Sequence, residues 1–189
     1  MRNDPREGQW SDESEIVERA KAGDMDAYGE LVTRYQAVAQ RTAYVITRDA
    51  GIAEDAAQEG FLKAYRAIGR FRSGAPFRPW LLRIVANEAL NRRKAAGRRP
   101  TVDLAVVEGR AASDPSGSPE EHAVAMERRT LLLRAMDGLR EDDRLVIAYR
   151  YFFDLSEAEM AEALDCPRGT VKSRLSRALG RLRERLDVQ

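Results

Sequence analysis

Arg70, Phe71, Arg72, Phe77, Arg78, Trp80 and Arg83 interleave aromatic rings with cations over a short stretch of the chain. Proteins that read duplex DNA seldom need aromatics. Proteins that hold unpaired bases do, because a base face stacks on an aromatic ring for roughly 1–3 kcal/mol. Just beyond, Arg83, Asn87, Asn91 and Lys94 recur at spacings of 4, 4 and 3. On a helix that spacing makes one polar stripe, suited to amide hydrogen bonds and phosphate pairing along a single strand. Leu81, Ile84 and Val85 fit a core, and Trp80 suits a core or a DNA surface equally. Phe71 stands in a turn among charges, where packing alone is a less natural role.

A second constellation lies near the C-terminus. Ser156-Glu157-Ala158-Glu159 matches a capping box, the serine accepting from the helix start and the glutamate reaching back. The short helix it opens stops at Leu164-Asp165, and Cys166-Pro167 starts another, with proline suited to a first turn. Two helices across so short a turn make a helix-turn-helix. Val171, Leu175, Ala178, Leu179 and Leu182 recur at core-facing spacing, opposite Arg168, Lys172, Ser173, Ser176 and Arg177. A helix whose N-terminal half is cationic and hydroxylated fits a major groove. A packed hairpin with a solvated basic face is the plainer reading of the same residues. Such a motif marks a DNA binder without saying which kind.

Upstream, Asp55, Gln58, Glu59 and Leu62 fall on one face of a predicted helix. That acidic and amide face suits a basic partner, and equally suits plain solvation.

The elements that must position these residues are helices. Ala, Leu, Glu and Arg dominate and no stretch alternates as a strand, so the fold class expected is all-α. Helices are predicted from Ser11 or Asp12 to about Gly23, over Ala27 to Thr47, over Ile52 to Ile68 (ended by Gly69) and over Phe77 to Lys94. Glycines and prolines then cluster between Pro100 and Pro119, as in a flexible linker. Four more helices are predicted: Glu120 to Asp137, Glu141 to Phe153, Ser156 to Leu164 and Pro167 to Leu186. The domains expected are 11–99 and 120–189, joined by a linker over 100–119.

Charge follows the same division. The net charge is +1, but its distribution is uneven. Gly60 to Arg99 holds 11 basic residues against Glu88 alone, a balance of +10, and Cys166 to Gln189 carries +5. Ser11 to Glu59 carries −6 and Pro100 to Asp165 carries −8. Phosphate binding should therefore be confined to two places. A single cysteine, Cys166, excludes an internal disulfide, and no Cys/His cluster suits a metal. Neither a signal peptide nor a run near the ~20 apolar residues of a membrane span is present, so a cytoplasmic protein without membrane insertion is expected. The only histidine, His122, has no nucleophile beside it and no phosphate-cradling glycine loop exists, which argues against catalysis. No catalytic residues and no cofactor are expected.

Taken together, AEDAAQEGFLKAYRAIGRF (Ala53 to Phe71), PFRPWLLRIVANEALNRRK (Pro76 to Lys94) and LSEAEMAEALDCPRGTVKSRLSRALGRLRE (Leu155 to Glu184) resemble the extracytoplasmic-function sigma factors of the sigma-70 family. The resemblance runs from about Ser11 to Leu186. It implies a four-helix domain that docks on core RNA polymerase and melts the −10 element, followed by a helix-turn-helix domain for the −35 element. Asp55, Gln58, Glu59 and Leu62 would meet the clamp helices of the polymerase's largest subunit. Phe71, Arg83, Asn87 and Asn91 would hold the non-template strand, and Arg150, Arg168, Thr170, Lys172, Ser173 and Arg177 would read the −35 duplex. The linker would thread the polymerase near the RNA exit path, and the second domain would meet the flap. Ser176 departs from the pattern, since some relatives carry a larger, often aromatic, residue there.

Two other readings stay in view. A stand-alone helix-turn-helix regulator, its first domain dimerising or sensing, would bind duplex tightly without polymerase. A helical enzyme with an appended DNA-binding domain lacks the residues for chemistry. The chain stops just after the recognition helix, so no fused regulatory domain is expected and control by a separate anti-sigma protein is. Cys166 reads as a small packing residue before it reads as a redox switch.

Overall fold

A computed structural model describes residues 5–96, 131, 132 and 134–187, and every regular element among them is helical. The all-α expectation is met. The described helices fall into two compact units.

The first unit is built from α1 (Pro5–Lys21), α2 (Met25–Thr47), α3 (Ala50–Ala67) and α4 (Phe77–Ala96). Helix α1 begins at Pro5, ahead of the predicted start at Ser11 or Asp12; proline's fixed φ is already helical, so it opens a first turn at no loss. At the other end Gly23 turns left-handed at φ 96°. The Asp24 amide donates to the Arg19 carbonyl and the Gly23 amide to that of Ala20, both at 3.1 Å, the paired bonds of a Schellman ending. Asp24 then caps α2, its carboxylate accepting from the Asp26 and Ala27 amides at 3.0 Å. One aspartate thus closes one helix and opens the next.

The predicted apolar face of α2 is inward. Leu31, Tyr35, Val38, Ala39 and Thr42 are buried, with Val32 and Val45 at its margin. It packs on α3, whose buried face is made of Ala53, Ala56, Ala57, Gly60, Phe61 and Ala64. Small side chains there let α4 approach closely. A Cβ added at Gly60 would lie 2.7 Å from Val85 Cγ2 and 3.2 Å from Val85 Cα. Gly60→Ala should therefore destabilise the unit by about 1–3 kcal/mol, although alanine is the better helix former by about 1 kcal/mol. A melting temperature raised by the substitution would refute that close approach. Helix α3 stops at Ala67 and tightens into a 3-10 turn over Ile68–Arg70. Gly69, predicted as the terminator, lies inside that turn.

The second unit comprises helical residues at 131, 132 and 134–137, then α5 (Glu141–Ile147), α6 (Glu157–Ala163) and α7 (Arg168–Asp187). The helix predicted over Glu141 to Phe153 divides: beyond α5 the chain makes one π turn, Ala148–Phe152. The Phe153 amide reaches back to the Ala148 carbonyl at 3.0 Å, which brings the buried Tyr149 and Phe153 rings within 6.1 Å. Leu145, Val146, Leu155, Met160, Val171, Ala178 and Leu182 complete this core. The buried Asp143 carboxylate accepts twice from Arg181 Nη1, at 2.7 and 2.8 Å, and so ties α5 to α7. The linker predicted over 100–119 lies outside the described residues, as does most of the helix predicted from Glu120.

Candidate nucleic-acid and partner interfaces

Helix α4 starts without a capping side chain of its own, because Gly74, Ala75 and Pro76 precede it and none offers an acceptor. The acceptor comes from α1. The Phe77 amide donates to Glu13 Oε1 at 2.9 Å, and the Tyr35 hydroxyl donates to Glu13 Oε2. Both hydrogen bonds are buried. Burial and the neighbouring carboxylate push the Tyr35 hydroxyl well above the usual tyrosine range. The loop between the 3-10 turn and α4 is equally constrained: the Ala75 amide donates to the Arg72 carbonyl at 3.1 Å, with Gly74 left-handed at φ 76°. Nothing with a Cβ adopts that turn cheaply.

Within this loop the structure corrects one expectation. Phe71 does not stand out among the charges; it is 5% exposed. Its ring packs at 4.9 Å from Trp80 and 5.7 Å from Phe77. A phenyl ring between two arginines gains more from two aromatic neighbours than from water, so the backbone turns it inward and leaves Arg70 and Arg72 outside. Trp80 is half-buried against Phe71 and Phe77. It is the member of the cluster that still meets solvent.

Along α4 the predicted stripe is present. Asn87, Asn91 and Lys94 are exposed and Arg83 is half-buried, while Leu81, Leu82, Val85 and Ala89 face the core. Part of the +10 island is spent inside the fold. Glu88, its single acid, is buried and accepts from Lys63 and from Arg92 Nε, the latter at 2.9 Å. The Lys63 ammonium and then the Arg92 guanidinium hold the Glu88 carboxyl below the usual range.

Asp55, Gln58 and Leu62 are exposed on α3, and Glu59 is half-buried beside them. Leu62 is 50% exposed, which is high for a leucine on a helix otherwise well packed. Asp55 accepts from Arg92 at 3.2 Å, Gln58 donates to Glu54 at 3.4 Å, and Glu59 pairs with Arg66 at 3.6 Å. The four residues form one face, and their charges are lightly engaged.

In the second unit the capping box is present. The Ser156 amide donates to Glu159 Oε2 at 2.8 Å and the Glu159 amide to Ser156 Oγ at 3.3 Å. The turn between α6 and α7 closes with Asp165 left-handed at φ 50° and the Cys166 amide donating to the Ala161 carbonyl at 3.0 Å. Helix α7 buries Val171, Ala178 and Leu182, and Leu175 and Leu179 are half-buried. It exposes Arg168, Lys172, Ser173, Ser176 and Arg177, while Thr170 is half-buried near its start. Arg150 is exposed on the π turn and donates to the Leu155 carbonyl at 3.2 Å. Beside it Tyr151 is 60% exposed. Neither Tyr151, nor Glu13 and its hold on α4, was singled out from sequence. The uncapped Gly74-Ala75-Pro76 start was the signal available for Glu13; for Tyr151 there was none, since a continuous helix would have turned it elsewhere. Among the described residues no cluster suits a metal, and no helix is long and apolar enough to cross a membrane.

Two family models match this chain: sigma-70 region 2 over residues 31–99 and sigma-70 region 4 over residues 129–182. The chain is 38% identical over 171 residues to the ECF RNA polymerase sigma-E factor of Escherichia coli (strain K12), covering 86% of this chain and 88% of that protein. Among solved structures, CnrH in complex with the cytosolic domain of CnrY superposes with a TM-score of 0.68 at 22% identity, covering 94% of this chain and 98% of that one. The sigma factor RpoE of Bartonella quintana, crystallised with the anti-sigma factor NepR, gives 0.63 at 22% identity, over 86% and 98% of the two chains.

Proposed function

Because this chain belongs to the ECF sigma factors of the sigma-70 family, we propose that its first unit docks on core RNA polymerase and melts the −10 element while its second unit reads the −35 duplex. The boundaries proposed are 11–99 for the first domain, 100–119 for a tether and 120–189 for the second. The observation that carries the reading is the pairing, within one small unit, of a face of exposed Asp55, Gln58 and Leu62 and half-buried Glu59 with an exposed Asn87-Asn91 stripe. A plain duplex binder has no use for either.

In this reading α3 presents the docking face to the clamp helices of the largest subunit. Arg150, Arg168, Thr170, Lys172, Ser173 and Arg177 place the −35 duplex by phosphate contacts and base edges. Tyr151, exposed beside Arg150, suits an apolar contact with the flap. The rim of α4 then takes the unpaired non-template strand, with Arg83 on phosphate, Asn87 and Asn91 on base edges and Trp80 as the ring open to solvent. Phe71 serves as the floor under that ring. Captured bases offset an unstacking cost of a few kcal/mol per step, so melting becomes favourable only at matching promoters. Each module is small and binds weakly alone; tethering both on one polymerase supplies the effective concentration. No bond is made or broken by this protein, which acts in the cytoplasm where the polymerase is.

Control by a separate anti-sigma protein fits the same surfaces, and the Bartonella neighbour solved with such a partner supports it. A gel-shift series tests the central claim. Promoter duplex should be retained with core polymerase and not by the chain alone at comparable concentration. Tight binding without core would favour the stand-alone regulator instead.

A further inference from the structure

Helix α1 is the element whose place the proposed function leaves unexplained. It precedes the matched residues 31–99, yet it holds both the loop that leads into α4 and the first residue of that helix. The buried Glu13 receives the Phe77 amide at 2.9 Å. The Lys21 ammonium donates to the Ser73 hydroxyl at 2.6 Å and to Glu18 at 3.1 Å. The Ser73 hydroxyl and then Lys21 hold the Glu18 carboxyl below its usual range.

The chemistry of the loop makes these ties necessary. Helix α4 begins after Pro76 and carries Pro79 in its first turn, so it has neither a side-chain cap nor a full set of amides. A carboxylate at a helix N-terminus satisfies an orphan donor and meets the positive end of the macrodipole at once. Glu13 supplies that carboxylate from across the unit, and the Tyr35 hydroxyl locks its second oxygen. Phe71 and Phe77, packed on one another, transmit the fixed position of Phe77 to the loop backbone. Two anchors therefore bracket the loop, one at Ser73 and one at Phe77.

We infer that α1 is a clamp that pre-sets the loop for the unpaired strand, with Glu13 as a positioning residue. This rests on the strand-capture reading of α4. A loop already held in its bound shape loses less freedom on meeting DNA, and that saving appears only in the opening step. Core binding through the Asp55–Leu62 face of α3, which touches neither Glu13 nor the loop, is indifferent to it.

Hydrogen exchange on the full chain, followed by permanganate footprinting with core polymerase, tests the clamp. Glu13→Leu keeps the packing volume and removes the acceptor. Amides over 71–78 should exchange at least about tenfold faster, because the Phe77 amide and the Tyr35 hydroxyl both lose their charged acceptor, and promoter opening should fall by a similar factor with core affinity unchanged. Glu13→Gln keeps an acceptor for the Phe77 amide and should restore both. Lys21→Ala, at a half-buried position whose partners Ser73 and Glu18 can turn to water, should loosen the same segment to a smaller degree. Unchanged exchange over 71–78 in Glu13→Leu and Lys21→Ala would overturn the clamp. Faster exchange with undiminished opening would leave the hold of α1 on the loop standing and overturn strand capture at the start of α4.

Discussion

Phe71→Ala should lower the stability of the first unit by about 3–5 kcal/mol, the usual cost of emptying a buried phenylalanine site. The ring is 5% exposed and touches Trp80 and Phe77. Its loss leaves a void at the point where the loop meets α4, and neither neighbour can fill it without leaving its own place. Urea unfolding followed by Trp80 fluorescence in a Trp10→Phe background reads the effect directly. Phe71→Leu, which keeps most of the volume, should cost less than half as much. Phe71 as a free stacking ring would predict the opposite pattern: stability changed by no more than about 0.5 kcal/mol, with the whole defect in DNA binding.

That contrast shows where sequence alone runs out. The periodicities of α2 and α4, the capping box at Ser156 and the core side of α7 follow from local rules, and the structure has them where those rules put them. Local rules see only a few residues in either direction. Phe71 reads as exposed because its sequence neighbours are charged, while its spatial neighbours are Phe77 and Trp80. Glu13 stands in sequence among the acids Asp12, Glu15 and Glu18, while its partners are Tyr35 and the Phe77 amide. The π turn at Ala148–Phe152 likewise answers to the demand of Tyr149 and Phe153 for one core. The candidate site was legible where it lies along a single helix face and illegible where three segments meet.

Replacing Asn87 and Asn91 together by alanine should reduce open-complex formation about tenfold to a hundredfold while leaving the fold and polymerase affinity intact. Both side chains are exposed on α4, a full turn apart, clear of the core residues Val85 and Ala89. Their removal opens no cavity and orphans no buried group, so stability should stay within about 0.5 kcal/mol. Each amide that meets an unpaired base edge contributes about 0.5–1.5 kcal/mol, and 1.4 kcal/mol is a factor of ten. The loss should appear as weaker permanganate reactivity at −10 thymines, with an unchanged −35 footprint. Paired substitution of Asp55 and Leu62 should show the reverse, losing core affinity first. The two faces sit on neighbouring helices of one small unit, so a defect from general unfolding would strike both measurements together. Only separate functions, assigned to α3 and α4 as proposed, would let the two variants fail in opposite assays.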